Sequence, residues 1–151
     1  MPHFKRILVP VDGSDFSNRA LVTALQMARD VGGRVLVLHD ISDLLYLSPY
    51  ADAGVLIEAA HEQGDHVLKA ALDICASAGV PAESRLVEGT GHRLGEAVSD
   101  AAVAWNADLI VLGSHGRRGL QRLLLGSGAE QILRLSPVAT LVIRDGIPSR
   151  A

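Results

Sequence analysis

The chain has 151 residues, of which 48% are hydrophobic and 21% are charged. This composition excludes a disordered, collagen-like or coiled-coil chain, and the length suits one domain spanning residues 1–151. The formal net charge of -3 gives no general attraction to nucleic acid or to an acidic membrane. An anionic ligand would therefore have to be held by local groups.

The sequence favours a reducing compartment. Its first apolar run, Ile7 to Val11, is too short for a secretory signal, and no run approaches the roughly 20 apolar residues of a membrane span. Cys75 is the only cysteine, which excludes an intramolecular disulfide framework. We therefore expect a cytoplasmic protein without a membrane span.

Short β-branched or Leu-rich runs alternate with stretches of helical period along the chain. The apolar runs predict strands at Ile7 to Val11, Val35 to Leu38, Arg85 to Val87, Leu109 to Leu112 and Thr140 to Ile143. The helical spacing of apolar residues predicts helices over Phe16 to Ala28, Val67 to Ala78, Leu94 to Trp105 and Ala129 to Leu135. Gly32 and Gly33 are expected to end the first helix.

This alternation predicts an α/β fold. The strands are almost continuously apolar, which indicates burial on both faces and a parallel sheet. With right-handed crossovers, the result is a three-layer doubly wound domain with a five-stranded parallel sheet. If strands one and four are neighbours, the strand order is 3-2-1-4-5 and the loops after both strands face one ligand crevice.

A glycine-spaced stretch follows the fourth predicted strand. It reads Gly113-Ser114-His115-Gly116, then nine residues, then Gly126-Ser127. A glycine-rich connection from strand to helix exposes backbone N–H groups, and the helix N-terminus adds donors and a partial positive charge. Ser127 and Glu130 also fit the S-x-x-E capping pattern, so we expect Ser127 to cap the helix. The stretch predicts a phosphate site.

Several candidate residues have simpler interpretations. The glycines are also explained as turn residues with positive φ, and Asp12 as a residue that orders its turn or caps the next helix. The cluster of Arg117, Arg118 and Arg122 suits phosphate, but loop arginines are commonly solvated or paired. We interpret His115 as a loop side chain and not as a catalytic base.

Three other features of the sequence bear on function. Residues 42–54 form a long predicted connection that could fold over the crevice as a lid. A polar group early in the second helix suggests a metal site only weakly, because its histidines are not four residues apart; its members are His61, Glu62, Asp65 and His66. Cys75 lies on the apolar stripe of the same helix, so we expect a core residue and not a nucleophile.

The chain resembles the universal stress protein family from Phe4 to Arg144. The resemblance rests on Pro10-Val11-Asp12-Gly13-Ser14 after the first strand, on the spacing Gly-x2-Gly-x9-Gly-Ser, and on the closing strand Thr-Leu-Val-Ile-Arg. It implies a fold like that of the adenine nucleotide alpha hydrolases. Family members with this glycine spacing bind ATP, so the resemblance also implies an ATP-binding protein of the stress response.

The same resemblance implies roles for individual residues. Asp12 would contact the adenosine moiety, with Pro10 and Val11 beside the base. Ribose and phosphates would be held by Gly113, Gly116, Gly126 and Ser127, with Ser114 and His115 in the intervening loop. Apart from the resemblance, the guanidinium group of Arg117 in that loop suits phosphate. Two positions depart from the family pattern: Asp40 replaces a small apolar residue that usually lies against adenine, and Gly128 replaces a valine or threonine.

Enzyme motifs that use related folds are not matched. The loop after the first strand has one glycine and no G-x-G-x-x-G pattern, and the only lysines, Lys5 and Lys69, follow no P-loop glycines. A receiver domain would need a late lysine. An ATP pyrophosphatase would need the loop Ser-Gly-Gly-x-Asp-Ser, which Val11 to Ser17 resembles only loosely, and a second domain for its acceptor.

We therefore expect a nucleotide-dependent regulatory protein that binds ATP or another adenine nucleotide, with Mg²⁺ accompanying the triphosphate. A nucleotide-free scaffold dimer and a slow ATPase stay open as alternatives. The last strand, Thr140 to Arg144, would lie at a sheet edge, where pairing with a second copy gives a homodimer, as the resemblance also implies. The sequence does not identify a protein partner.

Overall fold

The computed structural model describes residues 3–42, 53–89, 91–115 and 125–144. Five strands alternate with four helices in chain order. The strands are β1 (Arg6–Pro10), β2 (Arg34–Asp40), β3 (Ala82–Val87), β4 (Leu109–Gly113) and β5 (Ala139–Ile143). The helices are α1 (Asp15–Val31), α2 (Ala53–Ala78), α3 (Leu94–Trp105) and α4 (Ser127–Leu135).

All five strands form one parallel sheet in the order β3-β2-β1-β4-β5. This confirms the predicted fold class and strand order. The winding reverses between β1 and β4, whose registers pair Ile7 with Leu109 and Leu8 with Ile110. The carboxyl ends of both strands therefore lie side by side at one edge of the sheet.

The core has two halves, one on each face of the sheet. Along β2, the side chains of Val35 and Val37 pack with α1 and α2, whereas those of Leu36 and Leu38 pack with α3 and α4. This follows from the period of two in a strand, because successive side chains point to opposite faces. Central strands buried on both faces explain the continuous apolar runs in the sequence.

Most element boundaries fall within two residues of those predicted. β3 begins three residues earlier than predicted, α1 ends three residues later, and α2 differs most. Gly32 ends α1 in the left-handed conformation, with φ of 68°, as its place in the sequence predicted. The second helix instead begins at Ala53, so the last part of the predicted 42–54 connection is helical. Ser42 is described, and residues 43–52 of the predicted lid lie outside the described residues.

None of the helices in the four described ranges is long and apolar enough to cross a membrane.

Candidate functional site at the carboxyl edge of the sheet

The structure gathers most of the predicted site residues at one edge of the sheet. Pro10 ends β1, Asp40 ends β2 and Gly113 ends β4, and these three strands are neighbours. Val11 and Asp12 follow β1, Ser114 and His115 follow β4, and Gly126, Ser127 and Gly128 form the start of α4. Gly116 and Arg117 lie outside the described residues, as do Arg118 and Arg122.

The loop from β1 to α1 is held by its own polar side chains. The Oδ1 of Asp12 accepts from the N–H of Ser14 at 2.9 Å, and the N–H of Asp12 donates to Ser17 Oγ at 3.3 Å. Ser14 is the N-cap of α1, where its Oγ accepts from the N–H of Ser17. Asp12 therefore orders its turn, which was the simpler of its two predicted roles.

Backbone hydrogen bonds fix the start of α4 against the end of β4. The N–H of Gly126 donates to the carbonyl of Ser114 at 2.8 Å, and the N–H of Ser114 donates to the carbonyl of Ile143 on β5 at 2.9 Å. Ser114 is 2% exposed, and its Oγ lies 3.0 Å from Nδ1 of His115. The first turn of α4 is thus positioned at the carboxyl end of β4.

The N-cap of α4 differs from the prediction. Gly126 occupies the cap with extended backbone, φ -63° and ψ 156°, and Ser127 is the first helical residue, so the prediction that Ser127 caps the helix is wrong. The chain turns one residue earlier because Gly126 is already anchored to Ser114. Gly126 has no side chain to accept from the first N–H groups of the helix, and these groups have no intrahelical acceptor. They remain donors for a ligand.

Backbone proximity, and not positive φ, explains Gly113. Its φ is not positive, and a Cβ built on it would lie 2.9 Å from the carbonyl oxygen of Phe16. Gly126 also has negative φ, so the interpretation of these two residues as positive-φ turn glycines is wrong. Gly128 is different again, because a Cβ there would meet only the Cδ2 of Leu94, at 3.0 Å.

Asp40 is part of a polar cluster at the end of β2. Its Oδ1 accepts from the N–H of Ser42 at 2.8 Å, and its Oδ2 lies 3.1 Å from Nε2 of His92. Ser42 Oγ lies 3.1 Å from the same nitrogen. A carboxylate only accepts, so Nε2 of His92 carries the proton that it shares. Both contacts use one imidazole nitrogen, which differs from the relay of a nucleophilic triad, where each ring nitrogen has its own partner.

Two imidazoles at this edge each have a buried nitrogen without a hydrogen-bond partner in the described part of the chain: Nε2 of His39 and Nε2 of His115. Nδ1 of His39 donates to the carbonyl of Val11 at 2.7 Å, and His39 is 7% exposed. The ring of His115 packs against Phe16, with ring centroids 5.6 Å apart. Buried polar atoms normally have a hydrogen-bond partner, so these two nitrogens can still form hydrogen bonds with a ligand at this edge.

The polar group on α2 is spread over the surface. His61 contacts Glu88 in the loop after β3, while Glu62, Asp65 and His66 line a shallow depression with Lys69. Within the described ranges there is no group of three or more His, Cys, Asp or Glu side chains that could hold a metal ion.

A model of the universal stress protein family matches residues 3–144, nearly the whole chain. The chain belongs to the universal stress protein family. It is 33% identical over 141 residues to a universal stress protein from Thermus aquaticus, covering 93% of this chain and 99% of the relative. It is 30% identical over 143 residues to universal stress protein MJ0531 from Methanocaldococcus jannaschii, covering 93% and 82%.

Solved universal stress protein structures share the fold. The hypothetical protein MJ0577 superposes with a TM-score of 0.82 at 23% identity, covering 97% of this chain and all of that one. The universal stress protein from Archaeoglobus fulgidus in complex with dAMP gives a TM-score of 0.68 at 25% identity, covering 95% and 100%. Another universal stress protein, solved in complex with cAMP, gives 0.72 at 24% identity, covering 96% and 100%.

The sequence analysis missed two residues that lie beside Asp40 in the candidate site of this universal stress protein. Ser42 is 4% exposed beside Asp40, and His92 reaches Asp40 across 52 positions of sequence. A local signal existed for Ser42, because an Asp accepting from the backbone two residues on is a common turn. No local pattern indicates the pairing with His92, which depends on where the loop after β3 lies.

Proposed function

We propose that this universal stress protein is an adenine-nucleotide-binding regulatory protein of the stress response. The observation that carries the proposal is the start of α4. Its first N–H groups have no capping side chain, and the bond from Gly126 to Ser114 holds them at the edge where β1 and β4 end. A helix N-terminus at the point where the winding reverses is suited to phosphate. The relative in complex with dAMP supports a nucleotide as the ligand.

In this proposal each group of site residues has one task. Ser127 and Gly128 present N–H groups to phosphate, with Gly113, Ser114 and His115 forming the adjacent wall. Pro10, Val11 and Asp12 contact the adenosine moiety, and Asp40 lies beside the base. Gly116 and Arg117 complete the phosphate loop. The role of Gly116 follows from the sequence resemblance, and that of Arg117 from the suitability of a guanidinium group for binding phosphate.

ATP is the proposed physiological ligand, with Mg²⁺ bound mainly through phosphate oxygens and water. The proposed task is binding, in which nucleotide occupancy changes association with itself or with a partner. Measuring the rate of phosphate release from ATP at several protein concentrations distinguishes a slow ATPase from a protein that only binds ATP.

We also propose a cytoplasmic homodimer formed through β5. This edge strand presents Leu141, 36% exposed, and α4 before it presents Leu133 and Leu135, 40% and 42% exposed. The opposite edge, β3, instead exposes Glu83 and Ser84. Polar and charged side chains protect an edge from pairing, whereas an apolar edge favours it.

Titration calorimetry with ATP, AMP and cyclic AMP tests the nucleotide site, with two variants at one position. Ser127→Glu places a carboxylate at the start of α4, which suits the helix dipole but repels phosphate, so we expect affinity to fall about tenfold or more without loss of thermal stability. Ser127→Ala is the matched control and should keep most of the affinity. Undetectable binding of all three nucleotides at millimolar concentration would refute the proposal and leave the nucleotide-free scaffold.

A further inference from the structure

Asp40 lies on the same face of the sheet as the start of α4. Along β2, Leu36 and Leu38 pack with α3 and α4, and the period of two places the side chain of Asp40 on that face too. Its partner His92 precedes α3, which covers the same face. The carboxylate and the phosphate donors are therefore on one side of the carboxyl edge.

The separation of these two groups suits the two ends of a nucleotide. β2 is two strands away from β4, with β1 between them, which corresponds to about 10 Å across the sheet. A nucleotide with its phosphates at α4 would span this distance if its ribose and base ran along the edge, past Val11 and toward the end of β2. In that pose the base would lie beside Asp40.

The carboxylate of Asp40 is fixed in orientation but not saturated. Ser42 N–H holds Oδ1 at 2.8 Å, and His92 Nε2 holds Oδ2 at 3.1 Å. A carboxylate has about four acceptor positions, so each oxygen can accept from one further donor. It offers no hydrogen to a ligand while ionised. A base group that donates would be favoured here, and one that accepts would be disfavoured.

We propose that Asp40 is a specificity-determining residue that accepts a hydrogen bond from the exocyclic 6-amino group of adenine. The inference rests on the proposed nucleotide site and names the group that reads the base. A 6-oxo purine such as hypoxanthine presents an acceptor where adenine presents a donor, which leaves the buried carboxylate facing an oxygen. Sites built to bond one donor reject the analogue that lacks it.

His92 is a positioning residue in this arrangement. It acts through Asp40, by holding Oδ2 in place. His92→Ala should free the carboxylate to rotate and so weaken discrimination between bases. His92→Gln keeps an N–H donor on a side chain of similar reach and should restore much of the discrimination. A purely structural role for His92 would lower the affinity for both nucleotides equally.

The test is the ratio of ATP affinity to ITP affinity, measured by calorimetry on the full chain with thermal unfolding as the check on folding. Because ATP and ITP carry the same triphosphate, the ratio cancels the repulsion between the carboxylate of Asp40 and the phosphates. We expect ATP to bind about tenfold or more tightly than ITP, because a hydrogen bond to an ionised group is among the stronger ones. In Asp40→Asn, whose amide can rotate to present donor or acceptor, the ratio should fall close to one.

Glu88→Gln is the matched control, because Glu88 lies in the same loop as His92 but contacts His61 on α2, and its ratio should equal that of the wild type. An unchanged ratio in Asp40→Asn would overturn the inference and leave the nucleotide site standing. The inference would also be overturned if the wild type bound ITP more tightly than ATP and Asp40→Asn removed that preference. In that case the carboxylate would accept a hydrogen bond from the N1–H of hypoxanthine. If neither nucleotide binds the wild type, the proposed function fails together with this inference.

Discussion

Cys75 lies on the inner side of α2 and is 1% exposed. Burial raises the pKa of its thiol to about 11, from an ordinary value of 9.0, because the apolar surroundings disfavour the thiolate. A raised pKa in the folded state gives stability that is complete below the ordinary pKa and is lost as pH rises toward the folded value. The relevant window is therefore pH 9 to 11.

We predict that wild-type protein loses stability across this window faster than Cys75→Ala does, by up to about 1 kcal/mol per pH unit. Urea unfolding of both proteins at pH 8, 9, 10 and 11 measures the difference, and the lysines and tyrosines shared by both proteins cancel. Iodoacetamide at pH 8 should label the thiol of unfolded chains much faster than that of native ones. Equal slopes for the two proteins would contradict the assignment of Cys75 to the core.

Residue roles were predictable where they depend on local chemistry. The core position of Cys75 followed from helical spacing, and the turn at Asp12 from a polar side chain after a strand; both are confirmed. The cap of α4 was predicted wrongly because Gly126 is held by Ser114, a contact outside the capping pattern. The pairing of His92 with Asp40 was not predictable, since it joins two loops 52 positions apart.

At the scale of elements, α1 packs so closely on the end of β4 that the strand must end in a glycine. A Cβ on Gly113 would lie 2.9 Å from the carbonyl oxygen of Phe16 and 3.1 Å from its carbonyl carbon. These are backbone atoms near the start of α1, which cannot move aside by changing a side-chain rotamer. The contact also sets the spacing between the two loops of the candidate site.

We predict that Gly113→Ala destabilises the fold by about 1 to 3 kcal/mol, because the added methyl group pushes α1 away from β4. Nucleotide affinity should fall as well. Gly128→Ala is the control: its Cβ meets only Cδ2 of Leu94, and alanine favours the helix, so stability should change by less than about 1 kcal/mol. Urea unfolding at pH 7 measures both. A larger loss in Gly128→Ala would show that helix packing, and not the strand end, is the tighter contact.

Strands and helices differed in how well the sequence predicted them. Strands β1, β2 and β4 are buried on both faces, so their apolar runs stand out from the surrounding sequence. The start of α2 did not stand out, because its first turns expose Val55 and Ile57, 62% and 44%, and so lack a helical apolar stripe. Hydrophobic periodicity arises because one face of a helix is buried. A helical turn whose side chains are exposed therefore shows little periodicity in the sequence.

At the scale of the whole molecule, the strand order was predictable because few topologies satisfy alternating elements with right-handed crossovers. The order in turn leaves two unlike edges. The β3 edge is polar and the β5 edge is apolar, so a second copy of the chain would pair at β5. The proposed nucleotide site touches this edge, since Ser114 donates to Ile143 of β5. Dimer formation and nucleotide binding should therefore influence each other.

We predict that Leu141→Lys gives a monomer of 15.9 kDa, whereas the wild type sediments at twice that mass. Pairing of the edge strands would bury the charge of this lysine. The free energy needed to bury the charge exceeds the stabilisation gained from the apolar contact. Ser84→Lys places the same charge on the β3 edge and should remain dimeric. Sedimentation equilibrium with and without ATP measures both. Loss of the dimer in Ser84→Lys but not in Leu141→Lys would place the interface on β3 instead.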